Sequence, residues 1–135
     1  MRAGLEMRPA RFPGRAPVDA YGNGGFRFAD MSHRGSILML PSGIYAWPID
    51  AFADASMANL GQVAEDADDI EVLLFGCGAD MMRVPAALRE ALGELGIRPD
   101  PMSTGAAVRT YNVLLAEDRR VGAAFIAVDE AKKSR

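Results

Sequence analysis

Apolar positions in this chain fall into short runs with two different rhythms. From Asp69 to Asp80 the sequence reads DIEVLLFGCGAD. Ile70, Val72, Leu73, Leu74 and Phe75 are interrupted only by Glu71 and are followed at once by Gly76-Cys77-Gly78. A run this short, apolar on both faces, predicts a strand in the middle of a sheet that is covered on both sides. The two glycines let the backbone turn sharply at its end, the place where open α/β sheets hold ligands. Upstream, Phe26-Arg27-Phe28 alternates like a strand. Ser32-His33-Arg34-Gly35 is polar, ends in glycine and predicts a turn. Ile37 to Leu40 and Ile44 to Trp47 predict two more strands, stopped by Pro41 and Pro48.

The second rhythm is helical. Met57, Leu60 and Val63 share one face of a predicted helix from Ala55 to Ala64, capped by Asp50 or Asp54 and weakened by Gly61. Pro85 opens a second helix with a stripe of Val84, Leu88, Ala91, Leu92 and Leu95, and Gly96 stops it. Pro99 and Pro101 confine the stretch from Ile97 to Met102 to a sheet edge or to irregular extended chain. Ser103 or Thr104 caps a third helix, lined by Ala107, Val108, Tyr111, Leu114 and Leu115, and Val121 to Val128 predicts the last strand. The alternation indicates an α/β fold: a three-layer single domain with a central mixed β-sheet flanked by helices and an N-terminal β subregion. The expected boundaries are a flexible Arg/Pro-rich leader over 1–22, one domain over 23–129 and a loose tail over 130–135.

At 135 residues, half of them hydrophobic, the chain suffices for one domain with a real core. Residues 50–80 carry eight acids and no base. That block repels phosphates, and no Lys/Arg stripe with interleaved aromatics offsets it, which argues against nucleic-acid binding. The apolar runs are too short to span a membrane. The leader has no apolar central segment of the secretory kind, and its prolines oppose an amphipathic presequence helix. The expected compartment is the cytoplasm. Thirteen Arg against two Lys, with abundant Ala and Gly, suggest a bacterial source.

Cys77 and His33 are the only residues of their kinds. Those counts exclude an internal disulfide, zinc fingers and His-rich metal centres, so no metal site and no cofactor is expected. Gly76-Cys77-Gly78 begins like a dinucleotide fingerprint, but Met81 stands where the third glycine belongs, and the next helix starts too late to hold a pyrophosphate. Cys77 needs a base to act as a nucleophile, and His33 lies in a distant segment. Asp68 and Asp69 precede the strand, at the end opposite the glycines. No catalytic residue is assigned. The constellation that remains is a cleft between Gly76, Cys77, Gly78 and Asp80 on one side and Thr104, Arg109 and Asn112 on the other.

Several stretches carry a family resemblance: the hairpin from Phe26 to Pro41, Trp47, LLFGCGAD at 73–80, LREALGELGI at 88–97 and STGAAVRTYNVLLAEDRRVGAAFI at 103–126. Over roughly 23 to 128 the chain resembles the domain-of-unknown-function family that includes the mitochondrial respiratory complex I assembly factor three and short archaeal and bacterial proteins. The resemblance implies a three-layer α/β domain, no established enzymatic activity, and action through a protein partner. Its recurrent positions match Gly76, Gly78, Thr104, Asn112 and Arg120. The reading that follows is a non-catalytic interaction or assembly factor with an exposed apolar surface using Met31, Tyr45 or Trp47. The alternative is a small-molecule binder or enzyme using the cleft. An edge strand also leaves room for a homo-oligomer.

Overall fold

The computed structural model describes residues 11–130. Its strands are β1 (Arg11–Pro13), β2 (Ala20–Gly22), β3 (Gly25–Phe28), β4 (Met31–Arg34), β5 (Ile37–Leu40), β6 (Gly43–Ala46), β7 (Val72–Gly76), β8 (Arg98–Met102) and β9 (Val121–Phe125). The helices are α1 (Gly61–Glu65), α2 (Ala86–Glu94) and α3 (Thr104–Ala116), with short 3-10 turns over Phe52–Asp54, Met57–Asn59 and Ala67–Asp69. Six strands form a mixed sheet in the order β1-β6-β5-β9-β7-β8, and β2, β3 and β4 form a small antiparallel sheet.

The unbroken apolar runs have a simple cause. β5, β7 and β9 are buried at every position, because each face of the large sheet packs on its own core. Leu38, Leu40, Leu73 and Phe75 face a core completed by Trp47, Phe52, Leu88 and Leu92. Ile37, Met39, Leu74 and Phe125 face the opposite core, completed by Phe26, Phe28, Ala107, Val108 and Tyr111. The sheet is thus the middle of three layers. α2 and the 3-10 turns cover one side, and α3 with the small sheet covers the other. Phe125 stacks on Phe26 with ring centres 5.7 Å apart and meets the edge of Tyr111 at 5.9 Å.

β8 is an edge strand, as its prolines require. Arg98 N–H donates to the Glu71 carbonyl, and Cys77 N–H to the Met102 carbonyl. Positions 98, 100 and 102 therefore face β7, while Pro99 and Pro101 point outward and present no N–H to an incoming strand.

Three expectations change. The leader expected over 1–22 is part of the fold from Arg11 onward: β1 pairs with β6, and Ala16 and Val18 are buried. Residues 1–10 of that leader and 131–135 of the tail lie outside the described residues. The turn expected at Ser32–Gly35 is mostly strand β4, an edge strand on which Ser32 and Arg34 are exposed and His33 is half-buried. The reversal falls instead at Ala29 and Asp30, which both adopt positive φ (48° and 63°), as a two-residue hairpin of the I′ type demands. The helix expected from Ala55 to Ala64 is split between a 3-10 turn and the short α1, with no cap from Asp50 or Asp54. Asn59 imposes the tight turn: its side-chain oxygen accepts from Trp47 Nε1 at 3.0 Å, and its amide donates to the Asp54 carbonyl. That also removes Trp47 from any surface, since it is 1% exposed, while Tyr45 is half-buried.

Gly76 meets α3 with no space between them. A β-carbon there would lie 2.9 Å from Thr104 Cα and 3.0 Å from a Phe125 ring carbon. Gly76→Ala is expected to destabilise the fold by about 1–3 kcal/mol through overpacking, read as a lower urea midpoint at unchanged slope. Gly61→Ala, where a β-carbon meets nothing, is the control and should not lower the midpoint.

Candidate functional site

Thr104 is completely buried and ties three chain segments together. Its hydroxyl donates to the Ile126 carbonyl at 2.7 Å and accepts from Gly78 N–H at 3.1 Å, while its own N–H donates to the Gly78 carbonyl at 2.8 Å. Ile126 N–H in turn donates to the Gly76 carbonyl. Ser103 supplies the cap of α3, its Oγ accepting from Ala106 N–H. These bonds fix the carboxyl ends of β7 and β9 against the start of α3. Gly78, with φ 114°, turns the chain away.

Beside this knot lies an open cleft of about 1540 Å³. It runs over the strand ends from one face of the sheet to the other. On the α3 side its wall holds Tyr21, Gly105, Ala106 and Arg109, with Arg34 and Gly24 of the small sheet. On the α2 side it holds Met82 and the segment from Asp50 to Ala53, and the chain from Ile126 to Glu130 passes along it.

Of the residues read from sequence, Cys77, Gly78 and Arg109 line this cleft. Gly76 and Thr104 lie beneath it as structure. Asp80 is exposed and is not part of its lining. Asn112 is not part of it either, because its side chain pairs with the backbone of Val18 like a neighbouring strand. Oδ1 accepts from Val18 N–H and Nδ2 donates to the Val18 carbonyl, each at 2.9 Å. Arg120, another recurrent position, donates to the Asp68 carbonyl. Sequence reasoning missed Tyr21, Arg34 and the segments 50–53 and 126–130. Only Tyr21 had a signal: Asn23-Gly24 between two short alternating stretches marks a hairpin, and both residues have positive φ.

The chemistry of the walls is quiet. The Cys77 thiol faces the Met82 carbonyl at 3.7 Å. Burial pushes its pKa up, against smaller lowering contributions from hydrogen bonds to backbone at Met82 and Met102. The thiol is therefore held neutral. His33 is not in the cleft lining. Burial lowers its pKa, and the bond between Nε2 and the Ser36 carbonyl (3.1 Å), in which the ring must donate, offsets this in part. Burial raises the pKa of Tyr111 to about 12, with Arg15 opposing. Among the described residues no group of three or more His, Cys, Asp or Glu is placed to hold a metal ion. No helix among them is long and apolar enough to cross a membrane.

A family model described as a protein of unknown function (DUF498/DUF598) matches residues 18–126. The chain belongs to this family. A crystal structure described as an outer membrane protein from Bartonella henselae is 58% identical, with a TM-score of 0.84 over 87% of this chain and 99% of that one. An uncharacterised protein of Rhodobacter capsulatus is 39% identical over 122 residues, covering 90% of this chain and 93% of its own. NADH dehydrogenase [ubiquinone] 1 alpha subcomplex assembly factor 3 of Danio rerio is 32% identical over 109 residues, which cover 81% of this chain and 63% of that protein. The family anticipated from the glycine loop and the α3 segment is thus the one found, and the three-layer mixed sheet is the fold found.

Two measurements follow. Cys77 in the folded protein should react with a disulfide reagent at neutral pH far more slowly than free cysteine, and fully once urea unfolds the chain; a fast native reaction would contradict the buried, neutral thiol. For His33 the fold favours the uncharged ring, so its stabilisation is complete above the ordinary value of 6.5 and is lost as pH falls through the lower folded value. Thermal midpoints should fall between pH 7.5 and pH 5, and should fall less in His33→Gln. An equal fall in both proteins would remove His33 as the cause.

Proposed function

We propose that this protein is a non-catalytic interaction factor that docks a segment of a partner protein in the cleft at the strand ends, in the manner of an assembly factor. The observation that carries the reading is the shape of the cleft. At about 1540 Å³, open across both faces of the sheet, it exceeds the roughly 300–1,000 Å³ of small-molecule sites and suits a polypeptide. Its walls also fit binding better than turnover: Cys77 is neutral, and His33 lies elsewhere. The name of the Danio rerio relative supports the same reading and points to a respiratory or membrane-assembly protein as the partner. The chain spans less than two thirds of that relative, so its role there is carried over only as a proposal. The bacterial relatives and a buried free thiol support a bacterial cytoplasm as the setting.

A second reading, a small-molecule binder, is favoured by the presence of Cys77, Gly78 and Arg109 together in the lining of one cleft at the strand ends. Co-purification from the native cells at low salt, with mass spectrometry of proteins and metabolites, separates the two. The expected result is a stoichiometric protein partner. It should be lost when Ala106→Trp fills the cleft and kept when Val113→Trp is placed on the exposed face of α3. A tightly held metabolite without a partner would replace the first reading by the second, and a partner indifferent to Ala106→Trp would remove the cleft from the interaction.

A further inference from the structure

Within the cleft, donors gather at one place. A β-carbon on Gly105 would lie 2.5 Å from the Tyr21 hydroxyl oxygen and 3.6 Å from Arg109 Nη1, so both groups converge on the surface that Gly105 leaves bare. Arg109 stands one turn beyond Gly105, and helical side chains lean back toward the N-terminus, which brings the guanidinium there. Neither the Tyr21 hydroxyl nor the Arg109 guanidinium makes a hydrogen bond or ion pair among the described residues. The first turn of α3 carries no acid to answer the charge. Asp129 and Glu130 also border the cleft, but they follow Val128, whose carbonyl accepts from Gly24 N–H at the β2–β3 turn. Arg34 is the cation at that turn, where its Nη1 would lie 3.6 Å from a β-carbon on Gly24. Arg109 is left as the charge beside Gly105.

Across the cleft the wall is different. Met82 is exposed, and Ala51, Ala53 and Ala79 accompany it. An exposed methionine beside small apolar residues forms an adaptable apolar seat.

We propose that Tyr21 and Arg109 receive the carboxylate of an Asp or Glu side chain of the partner segment, while an apolar neighbour of that residue seats on Met82. The inference rests on the docking reading above and names the chemistry of its occupant. A guanidinium with a hydroxyl beside it matches a carboxylate's two oxygens, and both bonds are charge-assisted.

The test is site-specific photocrosslinking in the native cells, with p-benzoylphenylalanine in place of Met82. It is run in the parent chain and with Arg109→Glu, Arg109→Lys or Tyr21→Phe added. The crosslinked peptide should carry Asp or Glu close to the captured residue. Arg109→Glu should lower the yield about tenfold or more, Tyr21→Phe severalfold, and Arg109→Lys least of the three. Changing the partner's carboxylate to Lys should restore capture by Arg109→Glu. Capture of the same peptide at full yield by Arg109→Glu overturns the carboxylate inference and leaves docking intact. Absence of any specific crosslink from Met82 overturns docking and this inference together. A saturable shift of the Gly105 amide resonance on titration with inorganic phosphate alone, with no effect of Arg109→Glu on capture, would reassign the donors to a small anion.

Discussion

Where β7 ends, its backbone runs against the first residue of α3 with no room for a β-carbon, and the Thr104 side chain fills the junction. One hydroxyl then serves both of its hydrogen-bonding roles, donating to the strand β9 leaves behind and accepting from the glycine turn. A buried hydroxyl without partners would cost a few kcal/mol, and here the Thr104 hydroxyl has a partner for each role. The contact fixes the height at which α3 begins relative to the strand ends. It therefore also decides where Gly105, Ala106 and Arg109 stand along the cleft. Gly76 and Thr104 govern the site without belonging to its surface.

The small sheet depends on a second, similar device. Asn112 offers a donor and an acceptor in the spacing of a peptide group, and Val18 takes both. With Phe26 stacked on Phe125, this binds β2–β4 to α3 and the large sheet as one body. Tyr21 is consequently held beside Gly105, a residue far away in sequence. A cleft assembled this way takes its rigidity from the packing behind it.

What could be read from sequence follows burial. β5, β7, β8, β9, α2 and α3 were legible because unbroken apolar runs, a period of 3.6 and prolines at an edge are strong local signals. The first strands were not. Arg11–Pro13 and Ala20–Gly22 are three residues each and earn their conformation from pairing, which no local pattern reports. Ser32, His33 and Arg34 looked like a turn because the half-buried position between two exposed residues is itself a polar histidine, so the edge strand has no apolar period to show. The site divided along the same line. The glycine loop and Arg109 announced themselves by position at strand and helix ends. Thr104 and Asn112 were polar residues in the right place, but their polarity is consumed by backbone. Tyr21, Arg34 and residues 126–130 reach the cleft only through long-range packing.

The position of β9 has a consequence for synthesis. It is the last of the large sheet's strands among the described residues, yet it lies between β5 and β7 and pairs with both. Until residues 121–125 have left the ribosome, the large sheet consists of two halves with a gap at its most buried point. Neither half can close its hydrogen bonds or its two cores alone, and chains emerge over seconds. The domain therefore folds as a whole and late, and a nascent chain stalled before Val121 exposes the apolar faces of both β5 and β7 to whatever chaperone meets it first.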